Sequence, residues 1–177
     1  MFNSMGNGYD GWDRWAWRDG LDDEGFGSHE GRIAIVGLAD AGKRTLCNAL
    51  WGWDALDDTD DATEMIRNFG LFHLIDLPTS GYDAEHVLFR LENVDLVIYV
   101  ADGIAGITQE DVAWIARLRS MEATLLVVLN KADQLSGENL KTSLHDLETR
   151  LARPVMPLSA QDRDGVRERF LPLLLKT

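Results

Sequence analysis

The stretch Gly37-Leu38-Ala39-Asp40-Ala41-Gly42-Lys43-Arg44-Thr45 sets four residues between two glycines and a lysine directly after the second. Between an apolar run and a helix, that spacing suits a phosphate. Glycines let backbone N–H groups curl round an anion, and the helix N-terminus adds positive potential. Lys43 would reach the β- and γ-phosphates of a nucleotide. The nucleotide-contacting candidates here are Gly37, Asp40, Ala41, Gly42, Lys43, Arg44 and Thr45. Arg44 breaks the pattern, standing where a Ser or Thr hydroxyl would ligate Mg2+. A guanidinium cannot coordinate a cation. Thr45 comes one residue late, roughly 100° further round a helix. Two readings follow. Arg44 takes the metal's place and neutralises phosphate charge directly, as guanidinium chemistry favours; or it pairs with Asp40 one turn back and the nucleotide is held weakly.

Three more clusters carry chemistry. Asp76, in Ile75-Asp76-Leu77-Pro78, ends an apolar run and is the candidate for a metal-facing carboxylate. Asn130-Lys131-Ala132-Asp133 ends another. A carboxylate at Asp133 accepts from both the N1–H and the exocyclic amine of guanine, and adenine offers no such pair. The Lys131 stem would cover the base plane, and Asn130 would tie the loops together. Ser159-Ala160 follows a short apolar segment, and the Ala160 N–H is expected to meet guanine O6. The clusters stand in the chain order this chemistry needs.

The elements that must position them alternate. Apolar runs at 32–36, 71–75, 94–101, 124–129 and 155–158 read as buried strands. Helical spacing or a helix opening is read at 43–50, at 108–120 with Thr108 as cap, at 136–151 with Ser136 as cap, and at 162–174. Near-continuous apolar strands between helices predict an α/β fold, a mostly parallel sheet with helices on both faces and the ligand at the strands' carboxyl ends.

Composition bounds the rest. The chain has 177 residues, 45% of them hydrophobic, and a formal net charge of −13. That charge speaks against a broad nucleic-acid surface, so no direct DNA binding is expected. The lone Cys47 forms no internal disulfide and suits a reducing compartment, hence a cytoplasmic expectation. No apolar run is long enough for a transmembrane segment. Residues 1–30 hold six glycines, seven acids and two arginines and are read as a flexible tail ahead of a domain at 31–177. Its Trp12, Trp15 and Trp17 either fold back on the domain or anchor a protein partner. The four histidines, His29, His73, His86 and His145, lack ligand spacing.

The four clusters together resemble the G domains of the TrmE–Era–EngA group of translation-factor-related P-loop GTPases. Gly37–Leu50 resembles that group's phosphate loop. Asp95–Asp102 with the following GITQED, and LLVVLNKADQL, resemble it too. The resemblance implies a six-stranded sheet, GTP/GDP as ligand and Mg2+ as cofactor. It also implies a switch threonine over the metal, for which Thr63 has the better spacing from Lys43 and Thr59 the poorer. Lys43, Thr63 and Asp76 are then the catalytic candidates, with Thr63 and Asp76 the metal ligands. Asp40 stands where many relatives have asparagine. Thr79 replaces the glycine of the group's D-T-P-G run, and Gly81 comes two residues late. The acids from Asp54 to Glu64 disfavour closure onto phosphate unless paired. Two functions are therefore open: a molecular switch with slow GTP hydrolysis, or a non-hydrolysing pseudo-GTPase module acting through its surface and tail. Some members of the group dimerise through their switches, so a homodimer also stays open.

Overall fold

Side chains of the middle strands alternate between two sides of one sheet, and both sides are apolar. The computed structural model describes the backbone of residues 32–51, 66–69, 72–76 and 84–174, with side chains for 32–50, 84–172 and 174. The strands are β1 (Ile33–Gly37), β2 (Ile66–Phe69), β3 (Phe72–Asp76), β4 (Leu96–Asp102), β5 (Thr124–Asn130) and β6 (Met156–Pro157). They form a six-stranded sheet in the order β2-β3-β1-β4-β5-β6. Only β2 runs antiparallel to its neighbour. Side chains are described for β1, β4, β5 and β6.

The helices are α1 (Lys43–Trp51), α2 (Ala84–Arg90), α3 (Gln109–Leu118) and α4 (Gly137–Leu151). A last helix, α5, runs in three consecutive pieces: Arg163–Gly165, a π turn at Val166–Phe170, and Leu171–Leu174. On one face of the sheet, Val36, Val97, Tyr99 and Val127 pack against Val87 of α2, Trp114 and Leu118 of α3, and Leu147 of α4. On the other, Ile35, Ile98 and Val100 pack against Leu46 and Leu50 of α1 and Val166 and Phe170 of α5. Burying each such side chain stabilises the fold by roughly 1.5–3 kcal/mol, which fixes strand register and with it the loops at the strands' carboxyl ends.

Local chemistry sets the helix starts as the sequence indicates. Thr108 Oγ1 accepts from Asp111 N–H at 3.1 Å while Asp111 Oδ2 accepts from Thr108 N–H at 2.8 Å, a reciprocal cap. Ser136 Oγ accepts from Asn139 N–H at 3.3 Å. Asp162 Oδ1 accepts from Gly165 N–H at 3.0 Å.

Two elements are additions to the sequence reading. β2 lies just after Thr63, in a stretch with no strand signal, and α2 had no helical signal. Strand edges also shift: β4 and β5 each run one residue further than read, to Asp102 and Asn130. Those extra residues are the ones that reach the site.

Candidate nucleotide-binding site

β1 delivers the chain to the glycine loop. Its register pairs Gly37 with Asp76, so the carboxyl end of β3 lies beside the start of the loop. A Cβ at Gly37 would collide with the Val100 carbonyl oxygen of the neighbouring strand. Gly42 has φ +89°, and a Cβ there would collide with the Asn130 side chain. Asp40 holds a left-handed φ of 59° that a short acidic side chain tolerates, and it is exposed.

The first turn of α1 carries Lys43 and Arg44 and no acid. Lys43 is only 4% exposed, and its Nζ donates to Leu38 O at 2.6 Å, folding the stem back across the loop. Arg44 is half-buried. Thr45 is exposed and lines a pocket alongside Gly42, Asn130 and Asp133, a pocket that Arg44 does not line. The hydroxyl one residue late is thus carried away from the position Arg44 occupies.

Asn130, 2% exposed, joins three segments. Its Nδ2 donates to Ala41 O at 2.9 Å and its Oδ1 accepts from Ala160 N–H at 2.9 Å. Its own carbonyl accepts from Gly103 N–H at 2.9 Å. The tying role read for Asn130 is therefore literal. The Ala160 N–H, assigned above to guanine O6, here donates to Asn130 instead.

Lys131 holds a left-handed φ of 61°. That turn sends its Nζ to Asp40 O at 2.9 Å and to Asp102 Oδ2 at 2.6 Å. Asp102 Oδ1 accepts from Ile104 N–H at 2.8 Å and Ala105 N–H at 3.1 Å. Burial alone would raise the Asp102 carboxyl's pKa. The bonds from Lys131, Ala105 and Ile104, and the Lys131 charge, more than offset that and hold it below the usual carboxylate range.

The pocket beside these loops is lined by Gly42 and Thr45, by Asn130, Lys131, Asp133 and Gln134, and by Ser159, Ala160 and Gln161. Seven of these nine are candidates named from sequence. Gln134 and Gln161 were not named, nor was Asp102; the signal for Asp102 was its place as the last residue of an apolar strand. Asp133 is exposed and lines the pocket.

The donor set answers differently for nucleotide and metal. The glycine loop adjoins the pocket, and the two share Gly42 and Thr45, so the residues assigned to phosphate and to base lie side by side. For Mg2+ the fit fails where it should be strongest, at Arg44, and no cluster of three or more His, Cys, Asp or Glu occurs among the described residues. Asp76 is placed by its backbone at the loop. Thr63, Thr59, Thr79 and Gly81, the acids from Asp54 to Glu64, and Trp12, Trp15 and Trp17 lie outside the described residues. His86 and His145 are exposed on helices. Burial pushes the Cys47 thiol up to about 12, so it stays protonated in the core. No helix among the described residues is long and apolar enough to cross a membrane.

Comparison with known proteins agrees with this geometry. The chain is 29% identical over 153 residues to GTPase Der of Chromobacterium violaceum, matching 77% of this chain and 32% of that protein. It is 34% identical over 123 residues to GTPase Der of Shewanella pealeana, matching 60% of this chain and 25% of that one. The chain thus spans a third or less of these relatives' length. Among solved structures, a probable GTP-binding protein engB superposes with TM-score 0.63 at 18% identity, covering 83% of this chain and all of that one. The G domain of FeoB from Methanococcus jannaschii superposes with TM-score 0.58 at 27% identity, covering 82% and 96%. The profile of the Elongation factor Tu GTP binding domain matches residues 59–177, two-thirds of the chain and downstream of the loop that carries Asp40 and Arg44. By that match the chain belongs to the Elongation factor Tu GTP binding domain family, and its α/β P-loop fold is a GTP-binding G domain.

Proposed function

We propose that this G domain is a guanine-nucleotide switch with slow GTP hydrolysis. The observation that carries the reading is the double bond-making of Asn130. By bonding to both Ala41 O and Ala160 N–H, it holds the phosphate loop beside the base pocket, which supports one nucleotide spanning the two. Asp133 reads guanine, and Ser159-Ala160 closes the base side. Lys43 and the α1 N-terminus attract the phosphates. Mg2+, when bound, would neutralise charge on the β- and γ-phosphates, with Asp76 the remaining candidate to hold it. Arg44 takes over part of that neutralisation without the metal's geometry, which slows turnover, because phosphoryl transfer rests on positioning and charge stabilisation.

The relatives named GTPase Der support the switch reading. The rival, a non-hydrolysing module, rests on the lysine-arginine pair in the first turn of α1, which supplies charge for binding but no ligand for catalysis. One experiment separates them. Fluorescent GDP and GTP analogues are titrated with and without Mg2+, with unlabelled ATP as competitor, and GTP turnover is timed beside Lys43→Ala. Tight binding that ATP does not displace, with turnover above the Lys43→Ala level, supports the slow switch. Equally tight binding without turnover leaves the module, and displacement by ATP ends both.

A further inference from the structure

We infer that Asp102 is a positioning residue for nucleotide binding: it clamps Lys131 in the conformation that covers the base. The inference rests on the guanine-nucleotide reading above and deepens it. Lys131 is bonded at once to the phosphate loop, through Asp40 O, and to the end of β4, through the Asp102 carboxylate. Its side chain must cross from β5 over the loop, and it does so from a left-handed backbone that disfavours a lysine. Something must hold that arrangement, and an ammonium–carboxylate contact of 2.6 Å does so. The pair is shielded, with the side chains 27% and 17% exposed, so solvent screens it less than a surface pair.

Asp102 is itself fixed. One oxygen takes the N–H groups of Ile104 and Ala105, leaving the other aimed at Lys131. The carboxylate is thus set before any ligand arrives. It also neutralises the ammonium beside the pocket, so Lys131 offers a purine its apolar stem more than its charge. A floppy Lys131 would have to be ordered at each binding event, and that ordering entropy opposes affinity.

The test is a double-mutant cycle read by release of fluorescent GDP. Asp102→Ala is expected to speed release on the order of tenfold in the wild-type background. In the Lys131→Ala background the same change should have little effect, because its route is gone. Equal acceleration in both backgrounds would overturn the inference, since the carboxylate would then act by shaping the 104–105 turn. A second readout needs no nucleotide. The Lys131 ammonium resonance should be slow to exchange in the wild type and lost to rapid exchange in Asp102→Ala. An unchanged resonance would overturn the clamp. Failure of the wild-type chain to bind GDP would instead break the underlying nucleotide reading, with the resonance still deciding the clamp.

Discussion

The two halves of the site differ in how fully they are built. On the base side, Asn130, Lys131, Asp133, Ser159 and Ala160 line one pocket, and Asn130 and Lys131 are pinned by bonds of 2.6–2.9 Å. On the phosphate side the glycines and Lys43 are in place, but Arg44 replaces a hydroxyl and Asp40 brings an acid to the loop. Recognising a base and handling a phosphate are separable tasks. The first needs a fixed hydrogen-bond pattern. The second needs movable charge and a metal. A chain can keep one while altering the other, and here Asn130 is the bond between them.

The largest expected effect breaks the base side. Asp133→Ala removes the paired acceptor that distinguishes guanine. GDP affinity should fall on the order of 10³-fold or more, with little change for ADP, because a site built to hydrogen-bond a group discriminates strongly by it. Competition binding measures this directly. Retained guanine preference would mean that the base is read elsewhere.

Lys43→Ala should break the phosphate side alone. The residue is 4% exposed, and its Nζ, bonded to Leu38 O, would turn to a phosphate. GTP and GDP should bind on the order of 100-fold more weakly, while guanosine, which lacks phosphates, binds as before. An equal loss for guanosine would mean that the lysine supports the loop's shape rather than the ligand.

Arg44→Ser sharpens the comparison instead of breaking it. Returning a hydroxyl to the first turn of α1 should make GDP binding depend on Mg2+ and raise GTP turnover, by about tenfold if charge placement is the main deficit. No gain would place the deficit at Thr79, which replaces the glycine of the D-T-P-G run.

How much of this was legible in the sequence followed from how local its cause is. β1, β4 and β5 are buried on both faces, so their apolar runs are continuous and easily read. Thr108 and Ser136 cap by bonds that span three residues, so their chemistry is written nearby. β2 is Ile66-Arg67-Asn68-Phe69, a run with no clean alternation; its strand character comes from antiparallel pairing with β3. The seven-residue α2 is too short for periodicity to declare itself. The pocket residues were readable as motifs. The Lys131–Asp102 contact was not, because it joins residues 29 apart and depends on a left-handed turn. The Ala160 N–H was assigned to the base because a motif says which atoms can meet a ligand, not which protein atoms compete for them.

The smallest expected effect lies beneath both halves. Tyr99 is fully buried in β4, and its hydroxyl donates to Asp111 Oδ1 at 2.8 Å. Burial first, and then the charge of Asp111, raise the phenol's pKa, so it stays a donor at any working pH. Tyr99→Phe leaves one oxygen of a carboxylate that is 4% exposed without this partner. The other oxygen keeps both Thr108 bonds, at 2.8 and 2.6 Å. The cost should therefore be about 1–3 kcal/mol, read as a fall of several degrees in Tm. Because Tyr99 packs against α3, on the sheet face away from α1, GDP affinity and guanine preference should both hold at temperatures where the variant is folded. If affinity fell with stability, the α3 side of the sheet would be coupled to the site. Asp111 would then act on β4 and, through it, on Asp102, and the base side would owe its rigidity to the core as well as to its own bonds.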